Sequence, residues 1–258
     1  MVMGIINLTP DSFYAQSRVE HEKQLLHTCE QMLLDGARII DIGGYSTRPG
    51  APFVSEKEEL DRVIPSVSLL AKHFPEIILS IDTFRSTIAR HSIAEGAAII
   101  NDISAGEADI DMLSTMASLQ VPYIMMHKRG TPQTMQQLTQ YENVTLEIID
   151  YFIQRIALAK DLHIHDIIID PGFGFAKNLE QNYTLLNELD LFSILQKPLL
   201  VGISRKKMIQ QVIQSDAANA LNGTSSANTI ALIKGAKILR VHDVKAAIEC
   251  VKITSMLN

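Results

Sequence analysis

The stretch Arg38-Ile39-Ile40-Asp41-Ile42-Gly43-Gly44 is a short β-branched apolar run that ends on an acid and two glycines, just after the stop pair Asp35-Gly36. It reads as a buried strand that emerges from one amphipathic helix and feeds a polar loop. Working outward, the same pattern recurs along the chain. Candidate strands lie at Val2–Ile6, Arg38–Ile42, Ile77–Ile81, Ala98–Ile100, Tyr123–Met126, Ile167–Ile169, Leu199–Ile203 and Ile238–Val241. Between them, Leu25, Cys29, Met32 and Leu33 keep helical spacing. So do Leu60, Val63, Ile64 and Val67, then Leu146, Ile149, Ile153 and Ile156, then Val244, Ile248 and Val251. Eight strand–helix units in 258 residues predict a single α/β domain over residues 1–258, a (β/α)8 TIM barrel. An open doubly wound sheet is the alternative, but Gly172-Phe173-Gly174 lacks the third glycine of a dinucleotide fingerprint.

Composition narrows the function. The net charge of −6 argues against a cationic nucleic-acid binder, and 5% aromatic residues without Trp argue against a stacking platform for single strands. Apolar runs stay far below the roughly 20 residues of a membrane span, and the start of the chain carries no export signal, so no membrane and a cytoplasmic location are expected. Cys29 and Cys250 have no close-spaced partner and read as two buried thiols.

Polar residues gather at one end of every strand: Asn7, Asp41, Asp82, Asn101-Asp102, His127, Asp170, Ser204-Arg205-Lys206, and Arg240 with His242. Any one acid there reads equally as a helix N-cap. Lys206, Arg240 and His242 do not cap helix N-termini, and barrel enzymes keep their chemistry at this face. Arg240 and His242 are two apart on a strand and point to one side. With Lys206 and Arg48 they form an anion site suited to phosphate. Asp82, Asn101 and Asp170 supply acceptors for an amidine-like ring edge, such as that of a pterin or guanine. Metal-ligand spacing is absent, yet a Mg2+ held by one or two oxygens and a substrate phosphate would leave that trace.

Two turn-rich loops, Thr9–Phe13 and Ser46–Gly50, fall at the same end. Read as lids, they bring Thr47 and Arg48 to an anion and Phe13 over a flat ring; read blandly, they cap their helices. Gly43-Gly44 would let backbone approach a ligand. Phe175 is a candidate wall, and Met126 is either wall or core.

Taken together, MGIINLTPDSF, DIGGYSTRPG, SIDTF, INDIS, MMHKRGTP, DPGFGFAKN, VGISRKK and RVHDV, in order from Met3 to Val244, resemble the dihydropteroate synthases. The resemblance implies a (β/α)8 transferase of folate biosynthesis, a sulfonamide target. It would join (7,8-dihydropterin-6-yl)methyl diphosphate to 4-aminobenzoate by an SN1-like displacement. It assigns Asp82, Asn101, Asp170 and Lys206 to the pterin, with Met126 beside them. Asn7, Thr47, Arg48, Arg240 and His242 fall to the diphosphate, with Asn7 also a Mg2+ ligand. Phe13, Pro49, Phe175 and Ser204 surround 4-aminobenzoate. It implies a homodimer, with the Met208–Ile213 helix and the last helix as candidate contacts.

Two departures stand out: Tyr14-Ala15-Gln16-Ser17 replaces the family's usual Ser-Asp-Gly-Gly and its acidic metal contact, and the sequence begins almost at the first strand, where relatives usually carry an N-terminal extension. A pterin-dependent methyltransferase would share the acidic anchors but has no use for the Ser-Thr-Arg-Pro-Gly and Ser-Arg-Lys segments. A non-catalytic pterin-binding barrel would draw its support from the altered first loop.

Overall fold

The computed structural model describes residues 1–8, 15–45, 53–131 and 134–257. All eight expected strands form: β1 (Val2–Asn7), β2 (Ile39–Gly43), β3 (Ile78–Asp82), β4 (Ile99–Asp102), β5 (Tyr123–Met126), β6 (Ile167–Asp170), β7 (Leu200–Val201) and β8 (Ile238–Val241). They lie parallel in the order β6-β5-β4-β3-β2-β1-β8-β7. A parallel bridge from Ile169 to Leu199 brings β6 to the start of β7 and nearly closes the ring, a (β/α)8 barrel. Asp82, Asn101 and Asp170 belong to their strands rather than following them. The seventh strand is shorter than its apolar run, because its pairing with β8 stops at Val201.

The helices are α1 (Ala15–Leu34), α2 (Glu56–His73), α3 (Ser86–Ala94), α4 (Met112–Leu119), α5 (Val144–Asp161), α6 (Leu179–Asn187), α7 (Lys207–Val212), α8 (Leu221–Ile233) and α9 (Val244–Thr254). Ser55 and Glu58 cap α2 reciprocally, as Asn178 and Gln181 cap α6. Gly36 ends the turn after α1 at φ 106°, a conformation open to glycine, which accounts for the stop signal there. Helix α5 departs from its expected face. Leu146 and Ile153 are exposed, and the buried stripe runs through Thr145, Ile148, Ile149 and Phe152. Apolar spacing alone did not distinguish these two faces of one helix.

Strand alternation separates two cores. One side of each strand packs under the helices, as with Ile40, Leu79, Ile100 and Leu239. The other side fills the barrel interior: Met3, Ile39, Ile99, Ile124, Leu200 and Ile238 form a separate apolar plug. Residues two positions further along the same inward rows define what sits above that plug. Cys29 and Cys250 are free and buried, and burial pushes the Cys29 thiol up to about 12.

Candidate active site

The inward rows carry Asp41, Asp82, Asn101, Met126, Asp170, Arg240 and His242, at alternate positions beyond the apolar plug. Register explains their closeness: Asp82 lies opposite Gly43 and Asn101, and Met126 opposite Asp170. Gly202 supplies no side chain, so Arg240 and the Asp170 carboxylate approach that point of the ring.

Arg240 is the centre of one cluster. Its Nε donates to Asp41 Oδ2 at 2.6 Å, and its NH2 donates to Asp82 Oδ2 at 2.7 Å. Asn101 Nδ2 donates to the same Asp41 oxygen at 3.1 Å. Burial disfavours the Arg240 charge, but the Asp41 and Asp82 carboxylates more than offset that and hold its pKa above the ordinary value. Burial raises Asp82 to about 7; Arg240 opposes the rise, while Asp41, Glu59 and Asp102 add to it.

Lys206 and Asp170 form a second cluster. Asp170 Oδ1 accepts from the Gly172 N–H at 2.8 Å, and its carboxyl is raised by burial against the pull of Lys206. Lys206 donates to the Phe173 carbonyl and lies 4.8 Å from the centre of the Phe175 ring. Burial lowers Lys206 to about 8, opposed by Asp170. The turn beneath them is tight. Gly172 has φ 72°, and a Cβ there would run into the His127 carbonyl oxygen.

Lys177 locks the turn from behind. Its buried Nζ lies 2.9 Å from the Gly172 carbonyl, 3.0 Å from that of Phe175, and 3.1 Å from His127 Nδ1. Three acceptors around Nζ match the three donors of an ammonium, but burial holds the Lys177 pKa well below its ordinary value, with Asp170 opposing. Burial also holds the His127 pKa well below its ordinary value, with Lys177 adding to the effect.

Ser204 and His242 meet at the next strand ends. Ser204 Oγ accepts from the His242 backbone N–H at 3.2 Å and lies 3.1 Å from His242 Nδ1. With the Ser204 hydroxyl donating to Nδ1, Nε2 carries the ring proton. Asn7 is exposed at the end of β1, and Phe175 is half-buried at the wall. Met126 is buried on the inward side, beside Gly172, outside both apolar clusters.

Phe13, Thr47, Arg48 and Pro49 lie outside the described residues, as does Tyr14 of the altered first loop. Among the rest, the cations do not stand together as a bare anion site. Arg240 is paired with acids, Lys206 sits beside Asp170, and His242 is tied to Ser204. Asp102 faces away from the mouth. It accepts from Ser104, Gly106 and Tyr123 and holds the loop after β4, because it falls on the outward side of the strand. Gly44 answers to packing rather than to a ligand, since a Cβ there would strike Val63 of α2. Two residues of this region were not expected as parts of it. Asp41 was visible as a polar strand end, and Lys177 gave no signal, since its burial depends on how the loop folds back.

Among the described residues, no three His, Cys, Asp or Glu side chains are placed to hold a metal, and no helix is long and apolar enough to cross a membrane.

The sequence model of the family described as pterin binding enzyme matches residues 3–242. The dihydropteroate synthase of Synechocystis sp. is 43% identical over 99% of this chain and 89% of its own length. That of Escherichia coli K12 is 42% identical over 98% of this chain and 89% of its own. Among solved structures, the Yersinia pestis dihydropteroate synthase with a sulfonamide drug superposes with a TM-score of 0.92 at 40% identity, covering 100% of this chain and 93% of its own. The Xanthomonas albilineans enzyme in complex with 7,8-dihydropteroate gives 0.87 at 32% identity, covering 99% and 92%.

Proposed function

The chain belongs to the dihydropteroate synthase family of pterin-binding enzymes, and from that premise we propose how its barrel mouth divides the reaction among its residues. It is a transferase that condenses (7,8-dihydropterin-6-yl)methyl diphosphate with 4-aminobenzoate to give 7,8-dihydropteroate and diphosphate.

The observation that carries the assignment is the Arg240 bridge: one guanidinium on β8 touches Asp82 beside Asn101, and His242 follows one residue past the end of that strand. Asp82, Asn101, Asp170 and Lys206 grip the pterin, with Met126 against it. Arg240, His242 and Asn7, with Thr47 and Arg48, take the diphosphate. Ser204 and Phe175, with Phe13 and Pro49, form the arylamine site.

The displacement is SN1-like. The methylene C–O bond breaks and its electron pair leaves on diphosphate. The electron-rich ring shares the positive charge on carbon, favoured by the Asp82 and Asp170 carboxylates. The arylamine nitrogen then gives its lone pair to that carbon and sheds a proton. Arg240 and His242 stabilise the charge that develops there.

The exposed Asn7 amide is a single hard oxygen donor at the rim, and that fits a Mg2+ carried largely by the diphosphate rather than a protein cage. Bound there, the ion would neutralise leaving-group charge.

Exposed Val212 of α7 and Ile213 just after it, Leu221, Ile230 and Ile233 of α8, and Ile253 of α9 support a homodimer through this face, with α8 packed against both neighbours. The buried, unpaired thiols are in keeping with a reducing cytoplasm.

A steady-state assay with both substrates, with and without Mg2+, tests the reaction. Product is expected in both substrates' presence, increased by Mg2+. Binding of the pterin diphosphate without any product would overturn the transferase reading. Sedimentation equilibrium tests the dimer, and a monomer at all concentrations would remove it.

A further inference from the structure

Asp41 is completely buried, and its Oδ2 accepts from two residues on opposite sides of it: Asn101 on β4 at 3.1 Å and Arg240 on β8 at 2.6 Å. Its Oδ1 is also enclosed and makes no hydrogen bond. Asp41 faces Ser80 across β3, one inward position below Asp82, and the Ser80 hydroxyl likewise makes no hydrogen bond. The carboxylate therefore stands under the site, in contact with the residues above it.

Each contact limits its partner. An ionised carboxylate only accepts, so the Asn101 group turned toward it is the NH2. One N–H of Asn101 is used there. The second N–H and the carbonyl oxygen remain as a donor and an acceptor in fixed order. An amide with no such neighbour could rotate by half a turn and present them reversed. Arg240 is limited in the same way. Its Nε is pinned by Asp41 and its NH2 by Asp82, so the guanidinium plane is set by two acids on neighbouring strands.

We propose that Asp41 is a positioning residue that fixes the hydrogen-bonding polarity of Asn101 and the orientation of Arg240 together, so that ring recognition and leaving-group stabilisation depend on one buried carboxylate. The inference rests on the roles given above to Asn101 and Arg240. Asp41 itself touches neither substrate. Its effect is on the pterin diphosphate, which meets both residues, and not on 4-aminobenzoate, which meets neither.

The test is Asp41→Asn, with Asp41→Glu as the variant that keeps the charge and shifts it by one methylene. Calorimetry gives the Kd for pterin diphosphate, and steady-state kinetics gives kcat and the KM for 4-aminobenzoate. Asp41→Asn is expected to weaken pterin diphosphate binding and lower kcat by about tenfold or more each, and to leave the arylamine KM within about twofold. Asp41→Glu is expected to lose less in both. Because a positioning residue acts through others, Asp41→Asn introduced into Arg240→Ala should cost markedly less kcat than it costs the parent.

Full additivity in that double variant would overturn the proposal, as would a parallel rise in the arylamine KM. If Asp41→Asn does not fold, the same comparisons made with Asp41→Glu decide the matter. Asn101→Ala and Arg240→Ala as single variants separate the two readings. If both leave pterin binding and turnover intact, the site assignment itself is wrong. If both are impaired while Asp41→Asn and Asp41→Glu behave as the parent, only the present proposal fails.

Discussion

The Arg205 guanidinium meets the Asp243 carboxylate in two parallel hydrogen bonds, Nε to Oδ2 and NH2 to Oδ1, each 2.7 Å. Arg205 sits between Ser204 and Lys206, and Asp243 follows His242, so the pair clamps two strand-end loops of the site together. Arg205 also adopts φ 56°, which a side-chain-bearing residue rarely does, and donates to the carbonyls of Ala217 and Ala218. The clamp holds backbone that would otherwise relax. Arg205→Lys keeps the charge but loses the fork. We expect it to raise the KM for 4-aminobenzoate and the Kd for pterin diphosphate several-fold each, and to cost about 1–2 kcal/mol of stability, because solvent screens this partly exposed pair. Wild-type kinetics in this variant would reduce the clamp to a surface ion pair.

Asp170→Asn should abolish measurable pterin diphosphate binding while thermal unfolding stays cooperative. Asparagine fills the same space and can still accept from the Gly172 N–H, but it loses the charge facing Lys206 and the paired acceptors for an amidine-like edge. Calorimetry reads the outcome, and affinity equal to the parent would remove Asp170 from the ring site.

The affinity for pterin diphosphate should peak in a narrow pH window. Anchoring needs Asp82 ionised and Lys206 protonated. Burial raises Asp82 to about 7, so its charge is lost as pH falls through that value. Burial lowers Lys206 to about 8, so its charge is lost as pH rises through that value. Binding measured from about pH 5 to about pH 10 should therefore fall away on both sides of the interval between them. Lys206→Arg should move the alkaline limb out of range, because arginine stays charged. A flat profile in the parent would contradict both assignments.

Lys177→Met should destabilise the protein by about 2–4 kcal/mol, because the carbonyls of Gly172 and Phe175 lose a buried donor that a thioether cannot replace. It should also raise the arylamine KM, since Phe175 is no longer held at the wall. Denaturant unfolding measures the first effect and initial-rate kinetics the second. Unchanged stability would mean that the turn finds other partners.

The barrel was legible in the sequence because short apolar, often β-branched runs recur with a polar residue at or just past their ends, as with Asp170 closing β6 and His242 just after β8. Period-two alternation then points Asp170, Arg240 and His242 the same way as the interior plug. Asp41 has the same signature as Asp82, yet one inward step lower it contacts residues rather than facing the mouth, and spacing along β2 alone does not distinguish the two. Lys177 looks like an ordinary loop cation. Its burial follows from the glycine turn at Gly172, which folds the chain back over it. The pairing of Arg240 with two acids was hidden for a related reason: it joins positions 199 and 158 residues apart.

The interior plug of Met3, Ile39, Ile99, Ile124, Leu200 and Ile238 gives the barrel a floor that is independent of the helical shell. Selectivity could therefore be rewritten from above, at the inward rows and their loops, with the helix packing left untouched. A protein engineer seeking a new heterocycle for this scaffold would find the boundary at Asp41 and Ser80, below which a substitution risks the foundation and above which it changes only the guest.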